Sequence, residues 1–192
     1  MRHLGGSYLD NPDTNTFVPD VWQRLRVDYG LYSFLSVGCG VGWDVEWWQK
    51  QAATTGFGLP HIRAIGVEGD PEAFRKRRVD SLIWHDYTLG PWAPVEKYDL
   101  GWCAEFVEHV EAGFIPNWMA TLKACGLVVM TFATPGQGGY HHVNEQPEGY
   151  WLDQFDKYGF EYLPEVTRWM RATDGGGAWG RRTLTAFRNR TP

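Results

Sequence analysis

Hydrophobic and polar positions follow two periods along this chain, and the two alternate. Tyr32-Ser33-Phe34-Leu35-Ser36-Val37 is a compact strand that runs straight into Gly38-Cys39-Gly40-Val41-Gly42. Trp43 to Thr54 reads as a helix. Ile62 to Val67 is the next strand, ending at Glu68. Asp70-Pro71-Glu72 starts a helix, with an acid at the N-cap, proline at the first position and an acid in the first turn. Asp80 to Trp84 is a short strand closing on His85-Asp86, and Tyr98 to Cys103 is another. A helix is expected over much of Glu108 to Lys123, broken or restarted at Pro116. Leu127 to Phe132 is a strongly apolar strand, followed by the loop Pro135-Gly136-Gln137-Gly138-Gly139. Gln146-Pro147-Glu148 opens a helix running to about Lys157. The chain is expected to end in two strands, Phe160 to Val166 and Arg182 to Arg188, around a Gly175-Gly176-Gly177 turn.

Strands that alternate with helices imply an α/β fold: a doubly wound, mostly parallel sheet with helices on both faces. Two final strands without a helix between them imply an antiparallel hairpin at one edge. A helix beginning at Pro19, with Val21, Trp22 and Leu25 on one face, precedes the first strand. The polar, glycine-bearing stretch from Gly5 to Pro19 reads as an ordered arm that closes over a bound cofactor. The expected organisation is one domain over residues 1–192, with an arm and helix in 1–30 and an α/β core in 31–192. Ligands in such sheets bind at the carboxyl ends of the strands, where strand order reverses.

Composition narrows the function. A 43% hydrophobic and 16% aromatic content can supply a core, and eleven Trp residues must fill that core, line a pocket or both. Trp47, Trp48, Trp102 and Trp118 read as core, whereas Trp43, Trp84, Tyr140, Tyr150 and Trp151 fall nearer the edge of the expected cleft, to stack a planar or sugar substrate or to pack in the core or against a helix. A net charge of −5 disfavours bulk binding to nucleic acid or anionic lipid, and the basic run Arg75-Lys76-Arg77-Arg78 reads as a solvated helix end. Three Cys without a CxxC pair suggest reduced thiols. With no leader pattern and no long apolar run, a soluble cytoplasmic protein is expected.

The glycine run stands between a strand and a helix, the context in which backbone approaches a nucleotide closely. Its spacing is G-x-G-x-G, and Trp43 stands where a dinucleotide fingerprint needs glycine, which disfavours a nicotinamide-dependent oxidoreductase. Glu68, ending the second strand, suits a ribose diol. Asp86, ending the third, suits an adenine amino group, with Tyr87 or Trp84 to flank the ring.

These features together resemble the class I S-adenosylmethionine-dependent methyltransferases. Leu35 to Gly42 is similar to that family's first motif, Gly66-Val67-Glu68 to the second and His85-Asp86-Tyr87 to the third. Tyr98 to Val110 resembles the fourth strand and its exit, including the Glu-His-Val ending common among small-molecule enzymes of the family. The resemblance implies a seven-stranded Rossmann-like sheet and S-adenosylmethionine as cofactor. It implies a cofactor site of Gly38, Cys39, Gly40, Gly42, Glu68, Gly69, Asp86, Tyr87, Glu105 and Phe106. The implied reaction is in-line methyl transfer to a small-molecule or sugar acceptor at oxygen or nitrogen. The family usually carries an acid where Ser36 stands, and Asp10, Asp13 or Asp44 is left to substitute for it.

An activated methyl donor demands positioning first, and a base only where the acceptor must lose a proton. His142, His141 and His109 are the candidate bases, since a neutral imidazole titrates near working pH. His142 and Asn144, two apart, would face one way in an extended segment. A metal site of His141, His142 and Glu145 would need both imidazoles, but adjacent His141 and His142 would then point to opposite faces, so no metal site is expected. A nucleic-acid methyltransferase and a non-catalytic cofactor binder stay open as alternatives. The Asn/Asp-Pro-Pro-Tyr/Phe signature of amino-directed base methylation is absent, Ala104-Glu105-Phe106-Val107 standing in its place.

Overall fold

The computed structural model describes residues 10–12, 15–54, 62–173 and 182–191. Its elements are α1 (Pro19–Tyr29), β1 (Ser33–Val37), α2 (Trp43–Thr54), β2 (Arg63–Glu68), α3 (Pro71–Arg75), β3 (Leu82–Trp84), β4 (Tyr98–Cys103), α4 (Ile115–Leu122), β5 (Cys125–Met130), α5 (Glu148–Lys157), β6 (Phe160–Tyr162), α6 (Pro164–Ala172) and β7 (Thr185–Asn189). The strands form one seven-stranded sheet in the order β3-β2-β1-β4-β5-β7-β6. Neighbours from β3 through β5 pair in parallel, and β7 pairs antiparallel with both β5 and β6.

Period-two alternation sends side chains to opposite faces of the sheet. On β1, Phe34 joins a core shared with Trp22 and Leu25 of α1, Val45 and Trp48 of α2, and Val166 and Met170 of α6. Leu35 and Val37 join the opposite core, with Trp118 and Met119 of α4 and Trp151 and Phe155 of α5. Both cores are aromatic. Phe34 stacks on Trp48 at 4.8 Å, and Phe155 on Phe187 at 4.0 Å. Trp48, Trp102 and Trp118 are buried as expected, but so is Trp151, which packs beneath Phe132 and Trp118 instead of edging a cleft.

Two local expectations change. The segment predicted as a strand from Phe160 to Val166 stops at Tyr162, and Pro164 begins α6. The antiparallel C-terminal pair is present, but a helix connects it; Gly175-Gly176-Gly177 lies outside the described residues. Between β4 and β5, Pro116 sits in the first turn of α4, and the chain ahead of it forms two single 3₁₀ turns, Val107–His109 and Ala112–Phe114. Those turns carry Glu108 and His109 to the rim of the sheet. Among the described residues no helix is long and apolar enough to cross a membrane.

Candidate functional site

Strand order reverses at β1, whose carboxyl end stands between those of β2 and β4. A cavity of about 710 Å³ opens there, within the range of small-molecule sites. Its lining includes Gly38, Cys39, Gly40, Glu68, Gly69, Asp86, Tyr87, Glu105 and Phe106, along with His109, His141 and His142. Of the residues expected from the sequence, Gly42 is outside that lining. It holds α2 against β3: at φ +88° a Cβ on it would meet Leu82 Cδ1 at 2.9 Å. Pro12, Asn15, Thr16 and Phe17, from the described part of the N-terminal arm, line the cavity as well.

The glycine loop is held from two sides. Gly38 N–H and Cys39 N–H donate to Val67 O at 2.9 and 3.2 Å. Glu68 Oε2 accepts from Gly40 N–H at 2.6 Å, while its Oε1 accepts from Asp70 N–H at 2.7 Å. An ionised carboxylate has about four acceptor positions, so Glu68 keeps capacity for a diol beside these two bonds. Burial lifts its pKa from 4.5 to about 7, against the lowering effect of those same N–H groups. Cys39 is pushed up by burial and by neighbouring Glu68, which keeps its thiol in the neutral form.

Of the three acids left open by Ser36, Asp44 is the one that meets it. Ser36 Oγ donates to Asp44 Oδ2 at 2.5 Å, and both residues line the cavity. The acid thus comes from the first turn of α2, where the helix dipole favours negative charge. Burial raises Asp44 to about 6. Asp10 is exposed, and Asp13 lies outside the described residues. Trp43, at the start of α2, lines the cavity, and the guanidinium of Arg78, three residues past the end of α3, packs over its ring at 3.4 Å.

Asp86 is buried, and its Oδ1 accepts from both the N–H and the hydroxyl of Thr88, at 2.9 and 2.7 Å. Tyr87 packs edge-on against Phe106 and turns its hydroxyl to Thr121 of α4 at 2.8 Å. Trp84 does not line the cavity; it is 42% exposed, and its indole N–H donates to Gly69 O at 3.1 Å.

Opposite the carboxylates, two loops meet. Val143 N–H and Asn144 N–H donate to Glu108 O at 2.9 and 3.1 Å, and Asn144 Nδ2 reaches Val107 O and Val110 O. Asn144 is therefore a buried clamp, not a partner of His142 in the cavity. Glu145 accepts from Gly136 N–H, Gly138 N–H and the His142 ring Nδ1, at 2.8, 2.6 and 3.0 Å. The rings of His109 and His142 meet edge to face at 5.0 Å. Glu108, read from the sequence only as part of the Glu-His-Val ending and not as a site residue, lies fully buried beside them. Burial and the charge of Glu105 push its carboxyl up, and burial lowers His109 to about 4.

Glu68 gives the folded chain a pH dependence of definite sign. Between about 4.5 and about 7 the folded state holds a proton that the unfolded state has released, so this group stabilises at low pH. That contribution is lost as pH rises through about 7. The melting temperature of the parent chain is expected to fall relative to Glu68→Gln between about pH 5 and about pH 8, where the amide cannot titrate. A constant offset between the two melting curves over that window would contradict the shift.

No family model matches the chain, and no curated protein matches it in sequence. Solved structures do. An S-adenosylmethionine-dependent methyltransferase from Clostridium acetobutylicum ATCC 824 superposes with a TM-score of 0.66 at 10% identity, covering 93% of this chain and 93% of its own. The methyltransferase domain of bacterial-CtHen1-C gives 0.60 at 12% identity, covering 89% of this chain and 96% of its own. The plantazolicin methyltransferase BpumL, in complex with SAH, gives 0.54 at 13% identity, with 92% and 82% covered. The fold is that of the class I S-adenosylmethionine-dependent methyltransferases.

Proposed function

We propose that this chain is an S-adenosylmethionine-dependent methyltransferase acting on a small-molecule or sugar acceptor. The observation that carries this reading is the meeting of Asp44, Glu68 and Asp86 with the glycine loop in one cavity at the reversal of strand order. The residues suit the cofactor. Gly38 leaves backbone where a side chain would intrude, Glu68 offers acceptors for a ribose diol, Asp86 for an adenine amino group, and Asp44 a negative charge for an ammonium. The bound cofactor supplies an electrophilic methyl group on a sulfonium.

The protein's own part is to orient and to exclude water. Glu105 and Phe106, at the exit of β4, wall the cavity between the carboxylates and the histidines. His109, His141 and His142 stand on the acceptor side as candidate proton acceptors. The net charge of −5 and the aromatic lining favour a small acceptor over a polyanion.

Calorimetry with S-adenosylmethionine and S-adenosylhomocysteine, with NAD(H) as control, tests the proposal. Micromolar binding of the first two and none of NAD(H) is expected. Glu68→Ala should weaken both by about tenfold or more, the worth of a hydrogen bond to a charged group. Failure of either cofactor to bind the folded parent would leave only the fold in common with these enzymes.

A further inference from the structure

We infer that Glu108, His109 and His142 form a binding site for a first-row divalent cation at the acceptor end of the cavity. One potential ligand atom from each lies within 4.8 Å of the others. Neither oxygen of the fully buried Glu108 carboxylate has a hydrogen-bond partner among the described residues, and neither has the buried Nδ1 of His109. Three buried polar atoms without a partner are costly side by side. A proton on Glu108 would satisfy one oxygen and leave the other acceptors facing each other. A cation satisfies the set.

The donor types agree with this. A carboxylate with two imidazoles suits Zn²⁺, Mn²⁺, Fe²⁺ or Co²⁺, and three protein ligands leave a position open. Bonds of about 2.1 Å put neighbouring ligand atoms about 3–4 Å apart, so a contraction of roughly an ångström closes the set. The surroundings are built for it. Glu145 accepts from His142 Nδ1–H, which leaves the other ring nitrogen deprotonated, as outer carboxylates do for metal-bound histidines. The backbone bonds from Val143 and Asn144 to Glu108 O fix the two loops that carry the ligands. The grouping has no sequence period, because Glu108 and His109 share the turn after β4 and His142 sits on the loop after β5.

The acceptor class follows if the methyltransferase reading holds, and only then. A cation in this place lowers the pKa of a hydroxyl presented to it. The acceptor is then an alcohol oxygen. With His109 and His142 holding the cation and so no longer proton acceptors, its proton leaves to water, the oxygen–methyl bond forms as the sulfonium carbon–sulfur bond breaks, and that bond's electron pair stays on sulfur as a neutral thioether.

The test is titration of the full chain with Mn²⁺, Zn²⁺ and Co²⁺ by calorimetry, with Co²⁺ also followed by visible absorption. A single equivalent is expected to bind, with His109→Ala and His142→Ala each weakening it by about a hundredfold and Glu145→Gln by about tenfold. Circular dichroism establishes that each variant is folded, and His142→Ala, at the cavity wall, carries the test if a buried substitution is not. Absence of any site tighter than about 1 mM, or binding unchanged in the folded His109→Ala/His142→Ala double variant, would overturn the inference. S-adenosylhomocysteine titrations of the same variants keep the two readings apart. Metal binding without cofactor binding defeats the proposed function alone, and the reverse defeats this site alone.

Discussion

Gly38→Ala is expected to cost about 3 kcal/mol of stability and to abolish S-adenosylhomocysteine binding at concentrations that saturate the parent. Gly38 sits at φ +69°, a left-handed conformation that costs a side-chain-bearing residue about 1–2 kcal/mol. The new Cβ would also meet Phe106 Cδ2 at 2.5 Å and Cγ at 2.9 Å. Forced overlap of that kind in a packed site adds about 1–3 kcal/mol. Phe106 has little room to retreat, because Tyr87 and Trp118 pack edge-on against it at 5.8 and 6.2 Å. Relief must therefore come from the glycine loop, which moves Gly40 N–H away from Glu68. Gly113→Ala is the control. A Cβ there meets nothing within 4 Å, so urea melts should place it within about 0.5 kcal/mol of the parent. Unchanged stability and binding in Gly38→Ala would show that Phe106 yields after all.

Most of the sheet was legible because its strands are short, apolar and bounded by glycine, proline or acids. The α2 helix and β4 fall on the residues read from pattern alone, and Asp70 caps α3 through its side chain as its place before Pro71 implied. The helix α6 was missed although Pro164-Glu165 repeats the proline–acid start seen at Pro71-Glu72, and Val166, Trp169 and Met170 have helical spacing. The apolar run from Phe160 masked that signal. Trp151 was misplaced because helical spacing locates a face but not what lies opposite it, and α5 turns that face into the core. The site divides in the same way. Residues at strand ends could be placed from the parallel-sheet topology, since each strand delivers its last residue to the same edge. Asp44 could be narrowed only to one of three acids, because a hydrogen bond from Ser36 to the next helix has no sequence period. Glu108 carried only the Glu-His-Val resemblance: an acid five residues beyond a strand reads as solvated until the fold closes over it.

Trp118→Ala is expected to lower stability by about 3–5 kcal/mol, the usual cost of deleting a large buried aromatic. For a chain of this size that amounts to a fall in melting temperature on the order of 10 °C. Trp118 is fully buried on α4, between Phe106 on the cavity side and Trp151 and Phe155 on the other. The same deletion removes the backing of Phe106, whose ring stands over Gly38, so S-adenosylhomocysteine affinity should fall as well. Trp118→Phe distinguishes volume from polarity. The indole Nε1 has no hydrogen-bond partner among the described residues, so phenylalanine gives up packing volume but no bond. It is expected to cost well under half of what alanine does and to keep cofactor affinity. Equal losses in the two variants would mean that the indole N–H has a partner, and that the aromatic layer under the cavity is held by hydrogen bonding as well as by packing.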